Sequence, residues 1–156
     1  LRIRAGSRVD REITDVSGVL TVVGNLIDNA IDAAALAPPP PQAAGPHVEL
    51  SLTTAADGLL VRVRDSGPGV PPELREAIFM DGVTTKSSAA GARRGLGLAL
   101  VRQVVAGRGG MVSVGHDGGA VFTAVLPHVL AAGPADPAAA PDPAAAADPA
   151  EVARLP

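Results

Sequence analysis

From Thr21 to Ala34 the chain reads TVVGNLIDNAIDAA, and on a helix its polar and apolar positions separate. At about 100° per residue, Asn25, Asn29 and Asp32 fall on one stripe, while Leu20, Val23, Ile27, Ile31 and Ala34 fall on another. The second stripe predicts the core-facing side. The first sets amide and carboxylate oxygens in a row, an arrangement that calls for solvent, a metal or a ligand. A cap from Asp15 or Ser17 is expected to start this helix. It should run to about Ala37, where the proline run at 38–41 stops it and forms a stiff connector.

Two-residue periodicity takes over on either side. Residues 1–4 alternate apolar with basic side chains and suggest a short edge strand. Residues 47–54 place Val48, Leu50 and Leu52 on one face and Glu49, Ser51 and Thr53 on the other, the mark of a half-buried strand. Asp57-Gly58 signals a hairpin turn, and residues 59–64 repeat the alternation with Leu59, Val61 and Val63 inward. That strand ends in the turn-forming run Asp65-Ser66-Gly67-Pro68-Gly69. Pro71-Pro72-Glu73-Leu74 opens a short helix reaching about Phe79. Residues 81–94 offer little to bury and read as a mobile loop of functional length. Gly95-Leu96-Gly97-Leu98 then leads into an apolar helix through Ala106 that ends at Gly107 or at Gly109-Gly110. Strands at 111–115 and 120–126, joined through Asp117-Gly118-Gly119, close a domain spanning residues 1–128. Residues 129–156 are rich in Ala, Pro and Asp and are expected to form a disordered tail.

Composition narrows the function. A 156-residue chain that is 47% hydrophobic suffices for one domain with a core. Phe79 and Phe122 are its only aromatic residues, so the core must be aliphatic and stacking on bases is excluded as a main binding mode. A net charge of −3 gives no basic field for nucleic acid. The absence of cysteine rules out disulfides, thiolate catalysis and Cys-ligated metal. No apolar run of about 18 residues and no signal-like N-terminus occur, so this stretch is expected to be soluble and cytoplasmic, without direct membrane contact. A membrane anchor elsewhere in a longer parent protein is compatible with that.

Each candidate motif has a commonplace alternative. Asn25 and Asn29 offer hard oxygen donors of the kind that hold Mg²⁺ together with substrate phosphates, and a solvated helix face would look the same. Asp28 and Asp32 read as surface charge. Asp65 either forms a turn or accepts a proton from the exocyclic amine of a ligand that Gly67 and Gly69 admit close to the backbone. Gly95-Leu96-Gly97 at a helix start cradles phosphate or allows close packing; it does not follow a strand, so a Rossmann turn fits badly. Lys86, Arg93 and Arg94 either reach phosphate or solubilise the loop. His47, His116 and His128 show no metal-ligand spacing and no nucleophile partner, which leaves them structural or exposed. The joint order is more telling than any member. It supplies a metal site, a base site and a phosphate site.

In that order the motifs resemble the ATP-binding catalytic domain of sensor histidine kinases, within the GHKL (Bergerat-fold) superfamily that includes gyrase, Hsp90 and MutL. Asn25-Leu26-Ile27-Asp28-Asn29-Ala30 is similar to the N box, and Asp65-Ser66-Gly67-Pro68-Gly69 to the first glycine box. Ile78-Phe79 with Gly82-Val83-Thr84-Thr85-Lys86 resembles the F box and lid, and Gly95-Leu96-Gly97-Leu98 the second glycine box. The wording around the N box and lid is most similar to kinases of the citrate- and dicarboxylate-sensing type. The resemblance covers about residues 1–127 and implies a two-layer α/β sandwich, with a mixed, largely antiparallel sheet covered on one face by helices. It implies ATP and Mg²⁺ as cofactors, with Asn25 and Asn29 on the metal and Asp65 on the adenine amino group. It also places Asn29, Asp32, Gly67, Gly69, Thr85, Lys86, Gly95, Leu96, Gly97 and Leu98 around the nucleotide, and assigns Asn25, Asn29 and Lys86 to catalysis.

Hydrolytic members commonly carry a water-activating Glu where this chain has Asn25. An amide has no useful basicity at neutral pH, so the resemblance implies transfer of phosphate to another group. Arg93 stands where many relatives have a further glycine. The acceptor in such kinases is a histidine on a helical dimerisation domain, which residues 1–16 cannot contain. The expected partners are therefore that domain, outside this chain, and a response regulator, with no nucleic acid. An anti-sigma-factor serine kinase and a non-catalytic nucleotide-sensing module are the alternatives.

Overall fold

The computed structural model describes residues 2–3, 7–36, 45–56, 58–80 and 96–133. Their order is β1 (Arg2–Ile3), α1 (Val16–Leu36), β2 (Val48–Ala55), β3 (Gly58–Asp65), two 3₁₀ turns (Pro72–Leu74 and Ala77–Phe79), α2 (Leu96–Ala106), β4 (Met111–His116) and β5 (Ala120–Pro127). The strands form one sheet in the order β1-β2-β3-β5-β4, parallel only between β1 and β2. Both helices pack on the same face of the sheet and against each other. The expected two-layer sandwich, mixed and largely antiparallel, is what forms. The proline connector, the loop at 81–94 with Gly95, and residues 134–156 lie outside the described residues.

Alternation in the strands dictates the layers. Leu59, Val61 and Val63 are fully buried beneath the helices, as their period requires, while Arg62 is exposed. On the outer face Glu49 is the cross-strand partner of Arg64, their charged groups 3.8 Å apart. The core is aliphatic around a single aromatic pair, Phe79 and Phe122, which meet edge to face with centroids 6.3 Å apart.

Helix α1 is rotated from its expected setting. The residues it buries are Gly18, Val19, Val22, Leu26, Ala30 and Ala34; Leu20 and Ile31 are 65% and 51% exposed, and Val23 and Ile27 are half-buried. Of the expected core stripe, only Ala34 is fully inside. Apolar residues cover more than half of the circumference, so the spacing left two adjacent stripes to choose from. Asp15, rather than Ser17, is the cap: its Oδ1 accepts the Gly18 N–H at 2.9 Å, and its Oδ2 pairs with Arg108 beyond the end of α2. By length and composition α1 could cross a membrane, with a mean hydropathy of 1.4 over its most apolar window, but here it is the helix packed on the sheet.

Two further expectations are corrected. The helix expected from Pro71 to Phe79 is a pair of 3₁₀ turns closed by i to i+3 bonds, such as Leu74 N–H to Pro71 C=O and Met80 N–H to Ala77 C=O. So short a segment propagates no α-helix by itself, and the buried Ile78 and Phe79 fix its path. The domain also continues past 128. Val129 is fully buried, Leu130 bridges Ile13, and Ala131 N–H donates to Glu12 C=O, so the packed chain reaches residue 133.

Candidate nucleotide site

A cavity of about 690 Å³ opens between the C-terminal half of α1, the end of β3 and the turn from β4 to β5. Its wall includes Asn29, Asp65, Gly69, Ile78, Leu98, His116 and Phe122. Asp65 is 1% exposed, the only buried charged residue among those described. Its Oδ1 accepts the Gly67 N–H at 2.8 Å and the Ala120 N–H at 3.2 Å. Its Oδ2 is also buried and has no hydrogen-bond partner among the described residues. Burial raises the pKa of this carboxyl, and the two N–H bonds and the nearby His116 oppose the rise. An acceptor that is fixed, buried and unpaired at a cavity wall is matched to a ligand's N–H donor.

Two glycines make room around that carboxylate. A Cβ on Gly67 would lie 2.7 Å from the Ala33 carbonyl oxygen, so only glycine lets the turn lie against α1. Gly69 has φ +80°, and a Cβ there would lie 2.6 Å from Nδ1 of His116. On α1, Asn29 faces the cavity one turn from Asn25. The Asn25 Nδ2 donates to the Thr21 carbonyl at 2.8 Å, which turns its Oδ1 toward Gly97; a Cβ on Gly97 would lie 2.7 Å from that oxygen. The buried carboxylate, the amide oxygens and a glycine at a helix start thus share one end of the molecule. A larger hollow of about 890 Å³ beside β4 is lined by Phe79, Met80, Arg102 and Met111 and contains none of these groups.

The family model for histidine kinase-, DNA gyrase B- and HSP90-like ATPases matches residues 14–130. The chain belongs to this ATPase family. Sensor protein CitS of Bacillus subtilis is 40% identical over 114 residues, covering 72% of this chain and 19% of CitS. Sensor histidine kinase DcuS of Escherichia coli is 40% identical over 108 residues, covering 69% of this chain and 18% of DcuS. The chain therefore spans about a fifth of the length of these curated relatives. Among solved structures, full-length ShkA in complex with AMPPNP superposes with a TM-score of 0.65 at 30% identity, over 85% of this chain and 26% of that one. The catalytic domain of histidine kinase ThkA gives 0.59 at 28% identity, over 73% of this chain and 68% of that one.

Within this histidine-kinase-like ATPase domain, Asn29, Asp65, Gly69 and Leu98 line the cavity. Gly67 supports it from the turn, and Asn25 and Gly97 adjoin each other at its flank. Asp32 and Leu96 are exposed and do not line it. Thr85, Lys86, Arg93 and Gly95 lie outside the described residues. The sequence reading named Ile78 only through the resemblance to the F box, and it missed Phe122 and His116 as cavity residues. The one available signal was the Asp117-Gly118-Gly119 turn, which folds the ends of β4 and β5 onto Asp65.

Proposed function

We propose that this ATPase-family domain is the Mg²⁺-ATP-binding catalytic part of a two-component sensor histidine kinase. It hands the γ-phosphoryl group of ATP to a histidine on a dimerisation domain outside this chain. The unpaired, buried Oδ2 of Asp65 carries the reading. Adenine offers an exocyclic N–H donor to such an acceptor, whereas guanine presents a carbonyl oxygen at the same edge, which a carboxylate repels.

Asn29 and Asn25 suit a hard cation shared with the triphosphate, since no cluster of three or more His, Asp or Glu side chains offers another metal site among the described residues. When bound, Mg²⁺ would neutralise charge on the β and γ phosphates. Gly97 and Leu98, with Thr85, Lys86 and Gly95 from the preceding stretch of sequence, are assigned to the phosphate side. The Asn25 amide cannot take a proton from water, which supports transfer over hydrolysis. An acceptor imidazole needs no such base: its nitrogen lone pair forms the new bond to phosphorus as the bond to the bridging oxygen breaks and ADP leaves. Catalysis then rests on positioning and charge stabilisation. The similarity to CitS and DcuS supports a sensor-bearing parent protein, with this domain on the cytoplasmic side and a response regulator receiving the phosphoryl group.

Mixing the domain with the parent's separately made dimerisation helices and γ-labelled ATP tests this. Label on the helices that is acid-labile and base-stable, as a phosphoramidate is, is the expected result. ADP and free phosphate without labelled protein would overturn it.

A further inference from the structure

Three residues stand in a row across the end of the sheet: Asp65 on β3, Ala120 on β5 and His116 on β4. His116 is the register partner of Ala120, whose N–H donates to Oδ1 of Asp65. Two-residue periodicity puts His116 on the same face as the buried Val114, which is the face that carries the helices and the cavity. The Nδ1 and Cε1 edge of its ring lies against Gly69, where a Cβ would come within 2.6 Å of Nδ1 and 3.1 Å of Cε1. Gly69 thus seats the ring as well as making the turn at φ +80°. That packing leaves Nε2 available, and the imidazole is near enough to Asp65 to act on its charge.

Among the described residues of the cavity wall, the side chains able to donate an N–H are those of Asn29, Arg75 and His116. Asn29 belongs to the metal end. Arg75 donates its Nε–H to the Val70 carbonyl at 3.4 Å and also borders the separate hollow beside β4. His116 is therefore the donor that accompanies Asp65. Adenine carries its amino donor between two ring-nitrogen acceptors, N1 and N7, so an acceptor with a donor across from it matches either side of that edge. Strands β3 and β4 are two strand spacings apart, about 10 Å, a gap filled by two hydrogen bonds of about 3 Å each with the edge of a base between them. We propose that His116 is a second base-reading residue: its Nε2–H donates to the ring nitrogen beside the adenine amino group while Asp65 accepts from that amino group. This role rests on the adenine reading of the site and extends it from a single acceptor to an acceptor and donor pair. The pocket then selects purines whose edge reads donor beside acceptor.

Calorimetry of the whole chain with the Mg²⁺ complexes of ATP, 1-deaza-ATP and 7-deaza-ATP tests this. Each analogue replaces one ring nitrogen by C–H and keeps the amino group. One of the two is expected to bind wild type about three- to tenfold more weakly than ATP, the range of a single neutral hydrogen bond. This wild-type series reads the contact without any substitution. His116→Ala should weaken ATP by a similar factor and lose the discrimination against that analogue, while His116→Gln, which keeps an N–H donor, should retain part of it. His116 is exposed at a hairpin, so both variants are expected to melt as wild type does. Equal affinity of wild type for ATP and both analogues, or a penalty that persists undiminished in His116→Ala, would overturn the role of His116 and leave Asp65 as base acceptor. Failure of wild type to bind any of the three would overturn the adenine reading itself, and this role with it.

Discussion

Replacing Asp65 with asparagine separates ligand recognition from folding. The side chain keeps its shape, so the amide oxygen can still accept from Gly67 and Ala120, while an N–H donor takes the place of the unpaired Oδ2. Bound adenine would then meet a donor where it needs an acceptor. Losing one charge-assisted hydrogen bond and setting donor against donor costs about 3 kcal/mol, a rise in Kd of roughly a hundredfold. The empty domain should respond in the opposite sense. The pKa of Asp65 is raised in the fold, so the folded state binds its proton more tightly than the unfolded state does. Ionised Asp65 therefore detracts from stability above its folded pKa, and the penalty is relieved as pH falls through that pKa toward 3.8. Asp65→Asn removes the penalty at neutral pH and should leave stability unchanged or raised by about 1 kcal/mol at most, with the melting temperature moving in the same direction. Titration calorimetry with Mg-AMPPNP and thermal melts of the empty protein measure both. Wild-type affinity in the variant would refute the assignment of the carboxylate to the base. A variant that binds weakly and also melts well below wild type would refute the separation of the two roles.

Other consequences can be checked on the same protein. Asn29→Ala should lower affinity for Mg-AMPPNP at least tenfold while changing metal-free nucleotide binding little, as calorimetry with and without chelator would show. Gly69→Ala forces a Cβ into the His116 ring at a positive φ and should cost about 1–3 kcal/mol, read in urea melts. Asp15→Ala removes both the cap of α1 and the pairing with Arg108; a loss of about 1–2 kcal/mol, and a melting temperature lower by roughly 3–10 °C, is expected. Nucleotide affinity should fall in acid as Asp65 protonates, with a midpoint above 3.8, and the dependence should vanish in Asp65→Asn.

The strands were legible because a sheet with one face covered and one face wet writes its burial into alternate residues. Leu59, Val61 and Val63 are inward as their period demands. Helix α1 was legible as a helix but not in its rotation, because its apolar residues fill two neighbouring stripes and only packing on the sheet distinguishes Val22 and Leu26 from Leu20 and Ile31. Asp65 could be singled out by its glycine neighbours. Its unpaired oxygen could not, since that depends on Ala120 approaching from a strand 55 residues away. Phe122 and His116 enter the cavity through the same register, which the local sequence marks only by the Asp117-Gly118-Gly119 turn. The end of the domain was placed too early because alanine-rich composition hid Val129 and Leu130, which close against the segment before α1.

The most direct measurement is a crystal structure of the chain with Mg-AMPPNP. The account predicts the adenine amino group within hydrogen-bond distance of Asp65 Oδ2 and the triphosphate extending toward Asn29 and Gly97. A nucleotide bound in the hollow beside β4, or one that leaves Asp65 Oδ2 without a partner, would contradict it.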